Sequence, residues 1–168
     1  MSGKFRGSLS VLALSAAFAS NSAFAACVSL SALDSAYTQN FDSLANSGTA
    51  NDASTLPAGW AFYFNGTTTT YRADNGGSNT GGIYSYGATG SNERAFGTLL
   101  SSTNTPFIGA CFQNDTGGTI TSLDISYTGE EWRLGTASRA DALNFEYSTD
   151  ATDVKTGTWT GVSALNFT

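Results

Sequence analysis

Residues 123–127, Leu-Asp-Ile-Ser-Tyr, alternate apolar and polar side chains at every position. Successive side chains of a β-strand point to opposite faces, so this spacing gathers the three apolar side chains on one face. Residues 143–148, Leu-Asn-Phe-Glu-Tyr-Ser, repeat the pattern. One buried face and one solvated face are typical of strands in antiparallel sheets. We therefore predict a strand in each stretch.

Shorter apolar or aromatic segments recur on both sides of these two, separated by Gly, Asn, Asp, Ser and Thr. They lie at residues 59–64, 68–72, 82–86, 94–99, 107–112 and 162–167. No stretch after residue 50 keeps a 3.6-residue apolar period over three turns, as an amphipathic helix would. About eight or nine short strands predict an all-β fold, an antiparallel sandwich or barrel. Residues 43–58 are rich in small and polar side chains and are predicted to be the least structured part.

Residues 1–25 have the three parts of a Sec signal peptide. Lys4 and Arg6 supply the positive charge, residues 9–18 are mostly apolar, and residues 23–25 have the small-x-small pattern of a cleavage site. A spanning helix needs about 20 apolar residues, so we expect no transmembrane span. We expect cleavage after Ala25 and a single exported domain at residues 26–168, outside the cell or at its surface. The periplasm is the alternative location.

Both cysteines, Cys27 and Cys111, lie in the part that we expect to be exported. An even number of cysteines in an oxidising compartment predicts a disulfide between them. Two alternatives remain open. The two thiols are free and buried, or Cys27 is lipidated, because residues 24–27 loosely resemble a bacterial lipoprotein box.

Composition excludes several classes of function. The chain contains no histidine, which removes the Ser-His-Asp and Cys-His arrangements and the usual zinc ligand sets. Without residues 1–25 it keeps 5 Lys and Arg against 13 Asp and Glu, a net charge of −8. Phosphate backbones and anionic lipids are bound by clusters of Lys and Arg, and this sequence has none. We therefore expect no direct binding to nucleic acid.

The densest group of chemically useful side chains lies at residues 127–141, and seven consecutive residues of it, 127–133, hold two carboxylates, one guanidinium and two aromatic rings. We predict that Trp132 forms a stacking platform for a sugar face and that Glu130 and Arg133 bond its hydroxyls. The alternative buries Trp132 in the core and pairs Arg133 or Arg139 with Glu93 or Asp141. Adjacent glutamates on a strand point apart, so Glu130 and Glu131 are poor candidates for the two facing carboxylates of a glycosidase.

Two other groups are weaker candidates. Trp60, Tyr63, Tyr71, Tyr84 and Tyr86 lie among Gly, Thr and Asn, where a ring is exposed at low cost. We place Tyr84 and Tyr86 among the ligand-binding residues, although a small β-sandwich also uses such rings to fill its core. The loop at residues 73–82 offers oxygen ligands for calcium from Asp74, Asn75 and Asn79. It lacks the EF-hand spacing, and its alternative role is a flexible strand connection. No other cofactor is expected.

The order of several motifs resembles a bacterial extracellular jelly-roll-like β-sandwich module. The motifs are Phe41-Asp42, residues 56–60 (Leu-Pro-Ala-Gly-Trp), 82–87 (Gly-Ile-Tyr-Ser-Tyr-Gly), 93–97 (Glu-Arg-Ala-Phe-Gly), 125–133 (Ile-Ser-Tyr-Thr-Gly-Glu-Glu-Trp-Arg), 143–150 (Leu-Asn-Phe-Glu-Tyr-Ser-Thr-Asp), Trp159-Thr160 and 165–167 (Leu-Asn-Phe). Such modules occur in secreted and surface-sorted multidomain proteins, some with a lamin-tail or an endonuclease/exonuclease/phosphatase module downstream.

This resemblance implies an accessory role and brings no catalytic residue to the sequence. Family members continue past the equivalent of Phe167 through further strands. We therefore expect either that the module is truncated at its C-terminus here or that it ends with an open sheet edge.

These observations predict a non-catalytic secreted or surface module, not an enzyme, that binds a glycan or another surface protein. One alternative is an accessory module of a secreted nuclease or phosphoesterase whose catalytic part lies beyond residue 168. The other is an enzyme that works with carboxylates alone, which the adjacent glutamates argue against.

Overall fold

The fold is described by a computed structural model, which covers residues 2–10 (backbone only), 26–66, 69–101, 104–138 and 140–168. Within these ranges there is no α-helix, and the all-β class is confirmed. The strands are β1 (Ser2–Ser10), β2 (Val28–Leu30), β3 (Asn51–Asp52), β4 (Trp60–Tyr63), β5 (Thr70–Asp74), β6 (Gly82–Tyr86), β7 (Ala95–Leu99), β8 (Phe107–Ala110), β9 (Phe112–Asn114), β10 (Ser122–Glu130), β11 (Glu146–Tyr147) and β12 (Thr160–Gly161). Short 3-10 helices lie at Ala53–Thr55 and Ser163–Leu165.

The largest sheet has the strand order β3-β5-β6-β7. Its β3–β5 and β6–β7 pairs are antiparallel, but β5 and β6 are parallel, with Arg72 opposite Tyr84. A second parallel pair joins β2 to β9, so the strand pairs are mostly but not all antiparallel. Because β5 and β6 are parallel, the chain that connects them must run back along the length of the strand. That length is about four residues, or ~13 Å. The seven residues 75–81 are long enough to do so, and they form a loop that packs beside the sheet.

The core lies where this sheet meets the antiparallel β4–β8 pair. Tyr71, Ile83 and Phe96 of the sheet cluster with Phe62 of β4 and with Leu44. Leu44 belongs to residues 43–58, so the prediction that this segment is the least structured was wrong. The segment contributes the buried Leu44, strand β3 and the first 3-10 helix.

The disulfide between Cys27 and Cys111 is confirmed, with the two Cα atoms 4.7 Å apart. Cys111 lies between β8 and β9 rather than inside one strand. Its backbone N–H donates to the Gly59 carbonyl at 2.9 Å, and its carbonyl accepts from the Val28 N–H at 2.8 Å. Gly59 has φ +83°, and a Cβ atom there would lie 2.8 Å from the Val28 nitrogen. A larger residue at position 59 would therefore push the bridged segments apart.

Strand β10 confirms the alternation at residues 123–127, because Leu123, Ile125 and Tyr127 are half-buried between exposed neighbours. Its antiparallel partner is β1, in a register that runs from Ser2 opposite Glu130 to Ser10 opposite Ser122. Strand β1 belongs to the predicted signal peptide, so cleavage after Ala25 would remove the neighbour of β10. Among the described residues, no helix is long and apolar enough to cross a membrane.

The C-terminal region is less regular than the sequence suggests. Of residues 143–148, Glu146 and Tyr147 alone form a strand, and Leu143 makes an isolated bridge to Phe167. The strand predicted at residues 162–167 is largely replaced by the 3-10 helix that buries Leu165. Side chains compete here for backbone groups: the Phe145 N–H donates to Asn166 Oδ1 at 2.9 Å instead of to a neighbouring strand.

Candidate functional site

Three aromatic rings form a row on one face of the largest sheet. Tyr84 and Tyr86 are two residues apart on β6, so their side chains point to the same side. Their ring centroids are 4.9 Å apart with an interplanar angle of 18°. Trp132 extends the row, with its centroid 6.3 Å from that of Tyr86 and an interplanar angle of 7°. We call Tyr84, Tyr86 and Trp132 the aromatic stack.

The burial of these rings separates their roles. Tyr84 and Tyr86 are 1% and 6% exposed, whereas Trp132 is half-buried. The expected direct contact of the two tyrosines with a ligand therefore needs correction, since a ligand cannot reach a buried ring. Burial also raises the pKa of the Tyr86 hydroxyl, and the neighbouring Tyr84 and Asp74 raise it further. The tyrosines support Trp132 from below, and Trp132 is the ring at the surface of the stack.

Glu130 and Arg133 hold the segment that carries Trp132. The indole Nε1 of Trp132 donates to Glu130 Oε2 at 2.9 Å, which fixes the plane of the ring. Arg133 Nη1 donates to the carbonyl oxygens of Gly76 and Gly77, both at 3.3 Å. Both of these hydrogen bonds go to backbone carbonyls, and a pairing of Arg133 with Glu93 or Asp141 stays a prediction. Arg139, the other cation named for that pairing, lies outside the described residues.

The loop at residues 75–81 packs tightly under this segment. Gly76 has φ +89°, and a Cβ atom there would lie 1.9 Å from the carbonyl oxygen of Trp132. Asp74 Oδ1 accepts the N–H groups of Gly76 at 2.7 Å and of Ser78 at 3.1 Å. Tyr84 donates its hydroxyl to the Thr80 carbonyl at 2.5 Å. The loop is thus folded by its own polar groups and held between the stack and Arg133.

The same contacts bear on the three calcium candidates. Asp74 Oδ1 is used by the loop backbone, and Asn75 Oδ1 accepts the Gly77 N–H at 3.1 Å. Asn79 is exposed. Over the described ranges, no group of three or more His, Cys, Asp or Glu side chains is arranged as a metal site would need. Calcium binding stays a prediction from the sequence.

The other aromatic candidates lie elsewhere. Tyr71 is buried in the core, and Trp60 packs against Phe41 with ring centroids 4.6 Å apart. The Tyr63 ring faces Lys155, whose Nζ lies 4.2 Å from the ring centroid. The Lys155 ammonium bonds the Tyr63 hydroxyl and lowers its pKa. These three aromatic residues do not join the stack.

A buried arginine, Arg94, is a feature that the sequence analysis did not single out. Its side chain is 2% exposed, and its Nε donates to Ser85 Oγ at 2.8 Å. Its Nη2 donates to the carbonyl oxygens of Ser85 and Asp74. Burial lowers the pKa of the guanidinium. The available signal was an arginine at the start of the apolar run at residues 94–99, but charged residues are so rarely buried that exposure was the natural expectation.

No family model, curated protein or solved structure matches this chain in comparisons with known proteins. The resemblance to an extracellular β-sandwich module therefore remains an inference from the sequence motifs. Function depends on the chemistry of the site and not on the fold alone.

Proposed function

We propose that this protein is an exported, non-catalytic module that binds a neutral glycan at the cell surface through the exposed face of Trp132. The observation that carries this proposal is the aromatic stack, in which two buried tyrosines hold one half-buried tryptophan in a fixed plane. A ring that is already ordered loses little conformational entropy on binding. It therefore suits a ligand that presents apolar C–H faces and hydroxyl groups instead of charge.

The polar groups around Trp132 support a neutral ligand. The hydrogen bond from the Trp132 indole to Glu130 directs the carboxylate toward the ring edge. A ligand lying on the ring would meet Glu130 as a hydrogen-bond acceptor. The net charge of −8 expected after cleavage argues against an acidic polymer, which the protein would repel.

The arrangement supports binding without hydrolysis. A glycosidase places two carboxylates about 5–9 Å apart on either side of the bond to be cleaved. Glu130 is engaged by the Trp132 indole, and Glu131 is its direct neighbour in sequence. Two adjacent extended residues direct their side chains to opposite faces, so this pair does not meet the requirement.

The proposed architecture is a jelly-roll-like β-sandwich. Its support is the core cluster, in which side chains from the four-stranded sheet pack on side chains from the β4–β8 pair. Face-to-face packing of two sheets is the arrangement that a sandwich requires. Export is supported by the confirmed disulfide, because such bridges persist in oxidising compartments. N-terminal sequencing of the exported product tests export, and Ala26 is the expected first residue.

Binding to a panel of neutral and acidic polysaccharides tests the glycan proposal. Affinity electrophoresis of residues 26–168 should show retardation by at least one neutral polymer. Trp132→Ala should abolish the retardation, and Trp132→Phe should keep part of it, because a ring remains on the stack. Trp159→Ala is the matched control, since Trp159 is also half-buried but lies outside the stack. Absence of binding to every polymer by the unmodified protein would refute the proposal.

A further inference from the structure

A small polar cleft opens beside the loop at residues 75–81. Its volume is about 220 Å³. Its lining includes Asn46, Asp74, Asn75, Ala88, Thr89 and Arg94. We call it the Arg94 cleft. Asp74 and Asn75 line the cleft and also belong to the segment that packs against Trp132. No residue of the aromatic stack lines the cleft.

Arg94 leaves part of its guanidinium available to this cleft. Its Nε and Nη2 bond the protein, whereas Nη1 has no acceptor among the described residues. Every buried side-chain nitrogen or oxygen of the described chain has a hydrogen-bond partner, so Nη1 must be reached by solvent. It lies beside Gly87, where a Cβ atom would be 2.2 Å away. The glycine thus keeps open the approach to a cation that is otherwise enclosed.

Hydrogen-bond acceptors and donors both line the cleft. Asp74 uses Oδ1 for the loop backbone, and its Oδ2 has no donor among the residues that the structure describes. Asn46 donates through Nδ2 to Asn92 at 2.9 Å, which leaves its own Oδ1 as an acceptor. Thr89 Oγ1 accepts from Asn75 Nδ2 at 3.0 Å, so the Thr89 hydroxyl hydrogen remains available.

The charges of the cleft favour a neutral, hydroxyl-bearing ligand. The hydrogen bonds of the Arg94 side chain all go to neutral oxygens, and the nearby Glu93 and Asp74 carboxylates offset its positive charge. An anion would gain from Arg94 but be repelled by Asp74. Each hydroxyl of a sugar both donates and accepts. Adjacent hydroxyls can therefore accept from Arg94 Nη1 and donate to a carboxylate oxygen.

The size of the cleft limits the ligand to one ring. A volume of about 220 Å³ is several times the ~30 Å³ share of one water molecule. It is below the ~300–1,000 Å³ typical of pockets for larger ligands. The cleft is open to solvent on one side, so the end of a chain can enter it.

We infer that the Arg94 cleft binds the terminal ring of a neutral glycan. This inference rests on the proposed function and names its ligand more narrowly. It gives Arg94 two roles, since Nε and Nη2 hold the protein together and Nη1 contacts the sugar.

Free neutral monosaccharides test the cleft directly. In amide NMR spectra of residues 26–168, a panel of hexoses and pentoses should include one that shifts the resonances of Asn75 and residues 87–89. Glucuronate and inorganic phosphate should not. Ala88→Trp, which fills the cleft from an exposed position, should weaken that binding at least tenfold. Ala32→Trp, a change at another exposed alanine, should leave it unchanged.

The outcomes separate this inference from the proposed function. Monosaccharide binding that Ala88→Trp blocks would support the inference, even if no polymer bound to Trp132. Polymer binding that Trp132→Ala removes but Ala88→Trp leaves unchanged would refute the inference and preserve the proposed function. Shifts with phosphate or glucuronate that exceed those with every neutral sugar would overturn the neutral-ligand assignment. An absence of resonance shifts with every neutral sugar in the unmodified protein would also overturn that assignment.

Discussion

Removing the Cys27–Cys111 disulfide is expected to lower the free energy of unfolding by about 4.5 kcal/mol. The bridge spans a sequence separation of 84 residues. On the chain-entropy estimate, closing a loop of that length costs the unfolded state about 15 cal/mol/K, or ~4.5 kcal/mol at 25 °C. The loss is a large share of the ~5–15 kcal/mol by which domains are normally stable.

The assay is urea and thermal unfolding of residues 26–168 and of the Cys27→Ala/Cys111→Ala variant. At about 2.1 cal/mol/K per residue, the unfolding entropy of 143 residues is roughly 300 cal/mol/K, so the midpoint should fall by ~15 °C. Cys27→Ala alone should lose nearly as much as the double variant, because either change breaks the same bond. The urea m-value should rise if the unbridged chain expands on unfolding.

A loss below about 1 kcal/mol in the double variant would refute this reasoning. It would mean that the unfolded chain is already restricted near residues 27 and 111, or that the bond is absent from the folded protein. Quantifying free thiols in the unmodified protein after denaturation separates the two explanations.

The remaining predictions concern the stack and an exposed turn. Burial raises the pKa of the Tyr86 hydroxyl. The contribution of this hydroxyl to stability is therefore complete below about pH 10 and is lost as the pH rises further. The urea midpoints at pH 8 and pH 11 should differ less for Tyr86→Phe than for the unmodified protein. Gly76→Ala should lower the free energy of unfolding by about 1–3 kcal/mol, because Gly76 has φ +89° and a Cβ atom there would clash with the Trp132 carbonyl. Tryptophan fluorescence should also shift. An unchanged unfolding free energy and an unchanged spectrum would contradict this packing. Hydrogen bonds from Thr158 and Ser148 lower the pKa of Asp150. The stability that this carboxylate adds is therefore present above about pH 4 and lost as the pH falls. In a pH series, the unfolding free energy of Asp150→Asn should fall less steeply below pH 4 than that of the unmodified protein, and equal slopes would count against this prediction.

Local patterns predicted the elements whose structure depends on local geometry. The alternation at residues 123–127 has the period of an extended backbone, and β10 forms there. The same alternation at residues 143–148 produced a two-residue strand, because a ladder also needs a partner. That partner is β12, which spans two residues before the chain turns into a 3-10 helix. Partner length is a long-range property that the alternation does not encode.

The candidate site was predictable to a similar extent. The two-residue spacing of Tyr84 and Tyr86 indicates that their rings share a face, and the structure stacks them. Their burial depends on the loop at residues 75–81 and on Trp132, which is 46 positions beyond Tyr86 in the sequence. Arg94 is harder to foresee, because its enclosure depends on carbonyl oxygens of Ser85 and Asp74 that come together only in the folded sheet.

The disulfide has a further consequence for how the chain can be divided. Residues 27–111 form a covalently closed ring that contains Arg94 and its cleft, whereas Trp132 belongs to the open tail that follows. One proteolytic cut inside the ring leaves both fragments joined, but one cut at residues 112–131 detaches the tryptophan from the arginine. The tail still contacts the ring without a covalent bond, because Arg133 donates to the carbonyl oxygens of Gly76 and Gly77.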